Sequence, residues 1–140
     1  MSKYMLIMRG TDEGEAAYAA KDFREVIEQM GRYNESLVQA GVLVGAEGLS
    51  AAAEGAVVDF SGESPVVSDG PYGETKELFN GFWILDVATQ EEAVEWARRA
   101  PLAGPGNKLE VRRVNGPQDM PQDGEWSQKE AGWREQLGEV

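Results

Sequence analysis

The chain has 140 residues, 41% of them hydrophobic, and 25 acids against 13 bases give a net charge of −12. That length suits one domain able to bury about two thirds of its unfolded surface, and the negative charge argues against nucleic acid and anionic membranes as partners. The sequence contains neither cysteine nor histidine. This excludes disulfides, thiol nucleophiles, His-containing triads and His/Cys zinc sites, and leaves acid–base work to Asp, Glu, Lys, Tyr or water.

The opening residues 1–8 are apolar but too short for a secretory signal, and Arg9 closes them. No run reaches the 18 apolar residues of a membrane span. These features fit a cytoplasmic protein. Residues 3–9 read as a first strand with Tyr4, Leu6 and Met8 on one face and Met5 and Ile7 on the other, as a central strand requires. Residues 10–21 read as a loop carrying Asp12, Glu13 and Glu15. Asp22 is an N-cap candidate for a helix whose buried face takes Phe23, Val26, Ile27, Met30, Tyr33, Leu37 and Val38, with Gly41 as its stop.

Val42-Leu43-Val44 starts a second strand that ends near Gly45, and residues 47–55 connect it onward. Residues 56–60 and 65–67 read as a hairpin around Ser61-Gly62-Glu63-Ser64. A polar turn follows, then a strand over residues 82–87 with apolar side chains on both faces. Thr89 and Glu92 form a capping box for a helix that buries Ala93, Trp96, Ala97 and Ala100 and ends at Pro101. Residues 102–107 are a Gly/Pro loop, and 108–115 are the last strand, with Leu109, Val111 and Val114 apolar.

This order is an α+β pattern: the ferredoxin-like β-α-β-β-α-β plan with a hairpin insert, spanning residues 1–115. Helices on one side leave the other sheet face bare and apolar, which predicts a homodimer packed sheet to sheet. Residues 116–140 form a C-terminal extension. It is a linker followed by a short helix, with Ser127 and Glu130 as a capping box and Trp126, Trp133 and Leu137 on one stripe that docks on its own domain or on a partner.

Residues 68–87 carry the candidate site, a turn loaded with ionisable groups held against a central strand. Asp69 either caps the turn or acts as a general base or substrate anchor. Lys76 and Arg9 are candidates to hold an anionic group, the alternatives being a solvated turn and a snorkelling edge arginine. Tyr72 offers a hydroxyl or simple packing. Trp83 and Phe82 point to opposite sheet faces, and Trp83 is a candidate pocket wall. Asp12-Glu13-Gly14-Glu15 lacks ligand geometry and no phosphate-binding glycine fingerprint is present, so neither metal nor cofactor is expected.

Asp69-Gly70-Pro71-Tyr72-Gly73-Glu74-Thr75-Lys76-Glu77, Gly81-Phe82 and the helix around Glu92-Ala93-Glu95-Trp96-Ala97 resemble the YCII-related family, in its DGPF-domain branch. Tyr72 stands where that signature has Phe. The resemblance covers residues 3–115 and implies a dimeric α/β barrel made of two ferredoxin-like subunits. The leading expectation is small-molecule chemistry of lyase, isomerase or oxygenase type in a cleft near this turn, with Asp69 moving a proton. The family's His–Asp proposal does not transfer to a chain without His. The alternative is a non-enzymatic regulatory or protein-binding module linked to transcription or stress, with Trp126 and Trp133 as working parts.

Overall fold

The computed structural model describes residues 1–70 and 77–138. Its centre is an antiparallel pair, β1 (Ser2–Gly10) and β5 (Leu78–Val87), running from Ser2 opposite Val87 to Gly10 opposite Leu78. β2 (Leu43–Gly48) flanks β5 and β6 (Lys108–Arg113) flanks β1, so the sheet order is β2-β5-β1-β6. Each of these pairings is antiparallel. β1 and β2 therefore leave a gap that β5 fills, and β5 and β6 leave one that β1 fills, as two interlocked split β-α-β units require. The chain is α+β and ferredoxin-like. Between β2 and β5 stands the expected hairpin, β3 (Ala56–Asp59) with β4 (Val66–Asp69).

The helices follow local signals in two cases. α2 (Phe23–Gln39) starts where Asp22 accepts from the Arg24 amide at 3.0 Å. α3 (Gln90–Arg98) starts where Thr89 accepts from the Glu92 amide at 3.2 Å, while Glu92 reaches back to the Ala88 amide at 3.0 Å. The stretch expected as a loop contains a further helix, α1 (Asp12–Ala19), capped by Thr11. Its apolar pattern is weak, so it shows no periodicity, but three alanines and a run of acids in its first turn favour helix locally.

Register sorts the sheet residues into two sets. Tyr4, Leu6 and Met8 of β1, Trp83, Leu85 and Val87 of β5, and Leu109 and Val111 of β6 share one face. These side chains meet Tyr33 and Leu37 of α2 and Ala93 and Trp96 of α3 in the core. Met5, Ile7, Phe82 and Ile84 lie on the opposite face, and none joins that core. On α2, Phe23, Ile27 and Val38 are exposed, because the helix lies on the sheet by a narrower stripe than its apolar pattern suggests.

Beyond β6, Arg113 donates to both carboxylate oxygens of Asp119, at 2.9 and 2.7 Å, and this hydrogen-bonded pair draws the Asp119 carboxyl down to about 2. α4 (Glu125–Gln136) begins at Gly124, not at a Ser127 box, since the Ser127 hydroxyl donates to the Pro121 carbonyl at 2.6 Å. Trp126 and Trp133 do share a stripe, with ring centroids 6.4 Å apart, yet they are 66% and 51% exposed. No residue of α4 is buried, so it does not dock on the described part of its own domain.

Candidate functional site

The site begins with an irregularity. Met8 faces Gly81 but Arg9 faces Phe79, which leaves Asn80 as the extra residue of a β-bulge. Bulges bend a strand and re-aim its side chains. Glycine is required beside it: a Cβ on Gly81 would lie 2.7 Å from the Glu47 carbonyl oxygen and would also strike the Met8 side chain.

A second wall comes from α1. A Cβ on Gly14 would lie 2.6 Å from the Pro105 carbonyl and 2.7 Å from Asn107 Oδ1, so glycine lets α1 close onto the loop before β6. Thr11 Oγ1 donates to that carbonyl at 3.2 Å and accepts from the Gly14 amide at 3.1 Å. Asn107 in turn donates to the Ala103 carbonyl at 2.9 Å.

The third wall is α2. Trp83 is 2% exposed, and its indole N–H donates to Asn34 Oδ1 at 2.8 Å. Tyr33 meets the same indole edge to face, with centroids 5.2 Å apart at 84°. The Tyr33 hydroxyl donates to the Trp96 carbonyl at 2.8 Å, and burial pushes its pKa up to about 12.

Between these walls lies a cleft of about 630 Å³, a size typical of small-molecule sites. Met8, Tyr18, Phe23, Met30, Trp83 and Leu102 line it with apolar surface, while Asn34, Asn80 and Asn107 supply amides. Its ionisable lining residues are Arg9, Glu15, Tyr18 and Glu47. Burial raises the Tyr18 phenol pKa, so this group stays protonated and able to donate at neutral pH.

Arg9 is already engaged with carboxylates. It donates to Glu110 at 2.9 Å and pairs also with Glu77, while Lys108 holds Glu77 at 3.1 Å and Arg112 approaches Glu110 at 3.6 Å. Three cations thus share two carboxylates.

Of the residues singled out from the sequence, Trp83 and Arg9 line the cleft. Asp69 is exposed at the end of β4 and is not in that lining. Tyr72 and Lys76 lie outside the described residues. Sequence reasoning missed Glu15, Tyr18, Asn34, Asn80 and Asn107. Thr11 as a cap before an acidic, alanine-bearing turn was the one signal available for α1. The three asparagines sit on different elements, and nothing in their spacing relates them. No group of carboxylates among the described residues is arranged to hold a metal ion, and no described helix is long and apolar enough to cross a membrane.

Residues 3–115 match the model of the YCII-related domain. The chain is also 28% identical over 110 residues to an uncharacterised protein of Rhizobium meliloti, an alignment covering 78% of this chain and 89% of that one.

Proposed function

Because the chain belongs to the YCII-related family, we propose that it is a small-molecule-binding protein whose ligand occupies the cleft between α1, α2 and the β1–β5 bulge. The observation that carries this reading is the convergence of three side-chain amides on an apolar cleft of about 630 Å³ whose tryptophan is held by Asn34. Apolar walls take a ring or short chain, and a few fixed polar groups set its orientation. Each terminal nitrogen of Arg9 already donates to a carboxylate, so an anionic ligand at Arg9 would meet two neighbouring carboxylates. The geometry therefore favours a neutral, ring-bearing ligand with carbonyl or amide groups. If the ligand is also transformed, Glu15 is the lining group suited to move a proton and Tyr18 the one suited to donate to a developing oxyanion.

The same reading includes a homodimer. Met5, Ile7, Phe82 and Ile84 form an apolar centre on the open sheet face. On that face the β2 edge carries Glu47 and the β6 edge carries Lys108, Glu110 and Arg112. A chain without cysteine folds without an oxidising compartment, which supports a cytoplasmic setting.

The test is an NMR titration that follows the Trp83 indole N–H, assigned through Trp83→Phe. Benzamide is expected to shift this signal with saturation, and benzoate to do so more weakly. If neither ligand moves it, the cleft reading fails. Light scattering at micromolar concentration should give twice the 15.3 kDa chain mass, and a single-chain mass would remove the dimer.

A further inference from the structure

A second depression, of about 560 Å³, shares Leu102 with the cleft but has the opposite chemistry. Lys21, Arg32 and Arg99 line it, together with Gln29, Tyr33, Ser36 and the segment 100–103, and no carboxylate appears in that lining. This is notable in a chain where acids outnumber bases 25 to 13. Most of the bases in the described residues are matched: Arg9, Arg32, Arg98, Lys108, Arg112, Arg113, Lys129 and Arg134 each pair with a carboxylate. Among the described residues, Lys3, Lys21, Arg24 and Arg99 form no such pair. Two of these four unmatched cations face the same depression.

The neighbouring hydroxyls add no donors. Tyr33 donates to the Trp96 carbonyl and Ser36 to the Tyr33 carbonyl, at 2.8 and 2.6 Å. Hydrogen-bond donation from side chains into the depression thus falls mainly to cationic N–H groups, which select for a full negative charge. The Arg99 guanidinium is stacked on Trp96, 4.7 Å from the ring centroid. That contact anchors the guanidinium against the ring. Arg32 is shared with Glu28 at 2.6 Å. The three cations share one depression, and of them Lys21 and Arg99 have no carboxylate among the described residues to neutralise them. They come from three segments, the turn before α2, the middle of α2 and the end of α3. A tetrahedral oxyanion presents oxygens in enough directions to meet all three, whereas a planar carboxylate does not.

We propose that this depression is an oxyanion site for a phosphate group, either free or as the charged end of a phosphomonoester. The experiment titrates inorganic phosphate, at constant ionic strength set with chloride, into uniformly labelled protein. Saturable shifts are expected for the amides of Lys21, Arg99, Ala100, Leu102 and Ala103, with binding weakened about tenfold or more in the Lys21→Gln/Arg99→Gln variant. Arg99→Lys should fall between that variant and the parent, because it keeps the charge and loses the fork. Arg24→Gln, which removes an unmatched cation outside the depression, should change nothing. Phenyl phosphate separates the two sources. Shifts that extend to the Trp83 indole assign the site to a monoester whose body enters the cleft across Leu102, and shifts confined to the depression assign it to free phosphate. Non-saturating shifts, or equal weakening by Arg24→Gln and the double variant, would overturn the proposal.

Discussion

Ile84 and Leu85 are neighbours on β5 with nearly the same chemistry and different surroundings. Leu85 is fully buried between the sheet and the helices, in line with Tyr4 across the strand pair. Ile84 points to the other face, is only half-buried and touches no part of the core cluster. The covered face satisfies its polar atoms internally: the Trp83 indole N–H reaches Asn34 and the Tyr33 hydroxyl reaches Trp96. On the open face charge collects at one end, where Arg9, Lys108 and Arg112 surround Glu77 and Glu110. Burial by helices demands hydrogen bonds within the chain. A face left for a partner needs only an apolar centre and charges that a second copy can match.

The strongest way to break this contrast is in the core. Leu85→Ala should cost about 2–5 kcal/mol in denaturant unfolding, because a cavity remains where the helices cannot collapse, while Ile84→Ala should cost about 1 kcal/mol in the isolated subunit. Equal losses would mean that the two faces are equally packed. Ile84→Lys should keep the circular dichroism of the parent and halve the mass seen by light scattering; a dimer that survives this change uses another surface.

Tyr33→Phe should lower stability by about 1 kcal/mol through the lost bond to Trp96. It also has a pH signature. The folded pKa of Tyr33, about 12, lies above its ordinary 10.0. Its contribution is therefore complete below pH 10 and disappears as pH rises through 12, since the unfolded chain releases the proton first. Alkaline unfolding curves of parent and variant should converge across that interval, and parallel curves would show that Tyr33 titrates normally. Arg9→Gln should have the smallest effect, below about 1 kcal/mol and shrinking with added salt, because the Arg9 side chain is 39% exposed.

Strong periodicity and cap chemistry were legible. The strand run 82–87, the Asp22 cap and the Thr89–Glu92 box each name their element from residues close in sequence. α1 was not legible, because Gly14 and its alanines carry no apolar stripe. That glycine matters for its contact with Pro105 and Asn107, a relation across some ninety residues that no local pattern records. The Ser127–Glu130 pattern was a false cap, since Ser127 found the Pro121 carbonyl first. In the site, Trp83 and Arg9 were read from their places on central strands. Asn34, Asn80 and Asn107 gain their meaning from being brought together.

The sequence by itself determined the absence of thiol and imidazole chemistry, the acidic surface, the α+β order and the apolar character of both faces of the central strands. These are properties of residue type and of periods no longer than a helix turn, so they survive without three-dimensional context. Only the tertiary structure decided which face the helices cover, where the bulge puts Asn80, that Arg9 pairs with Glu77 and Glu110, and that Lys21 and Arg99 share a depression free of carboxylates. Each of these joins residues from separate elements, and their contact is set by how the elements pack rather than by what any one of them prefers alone.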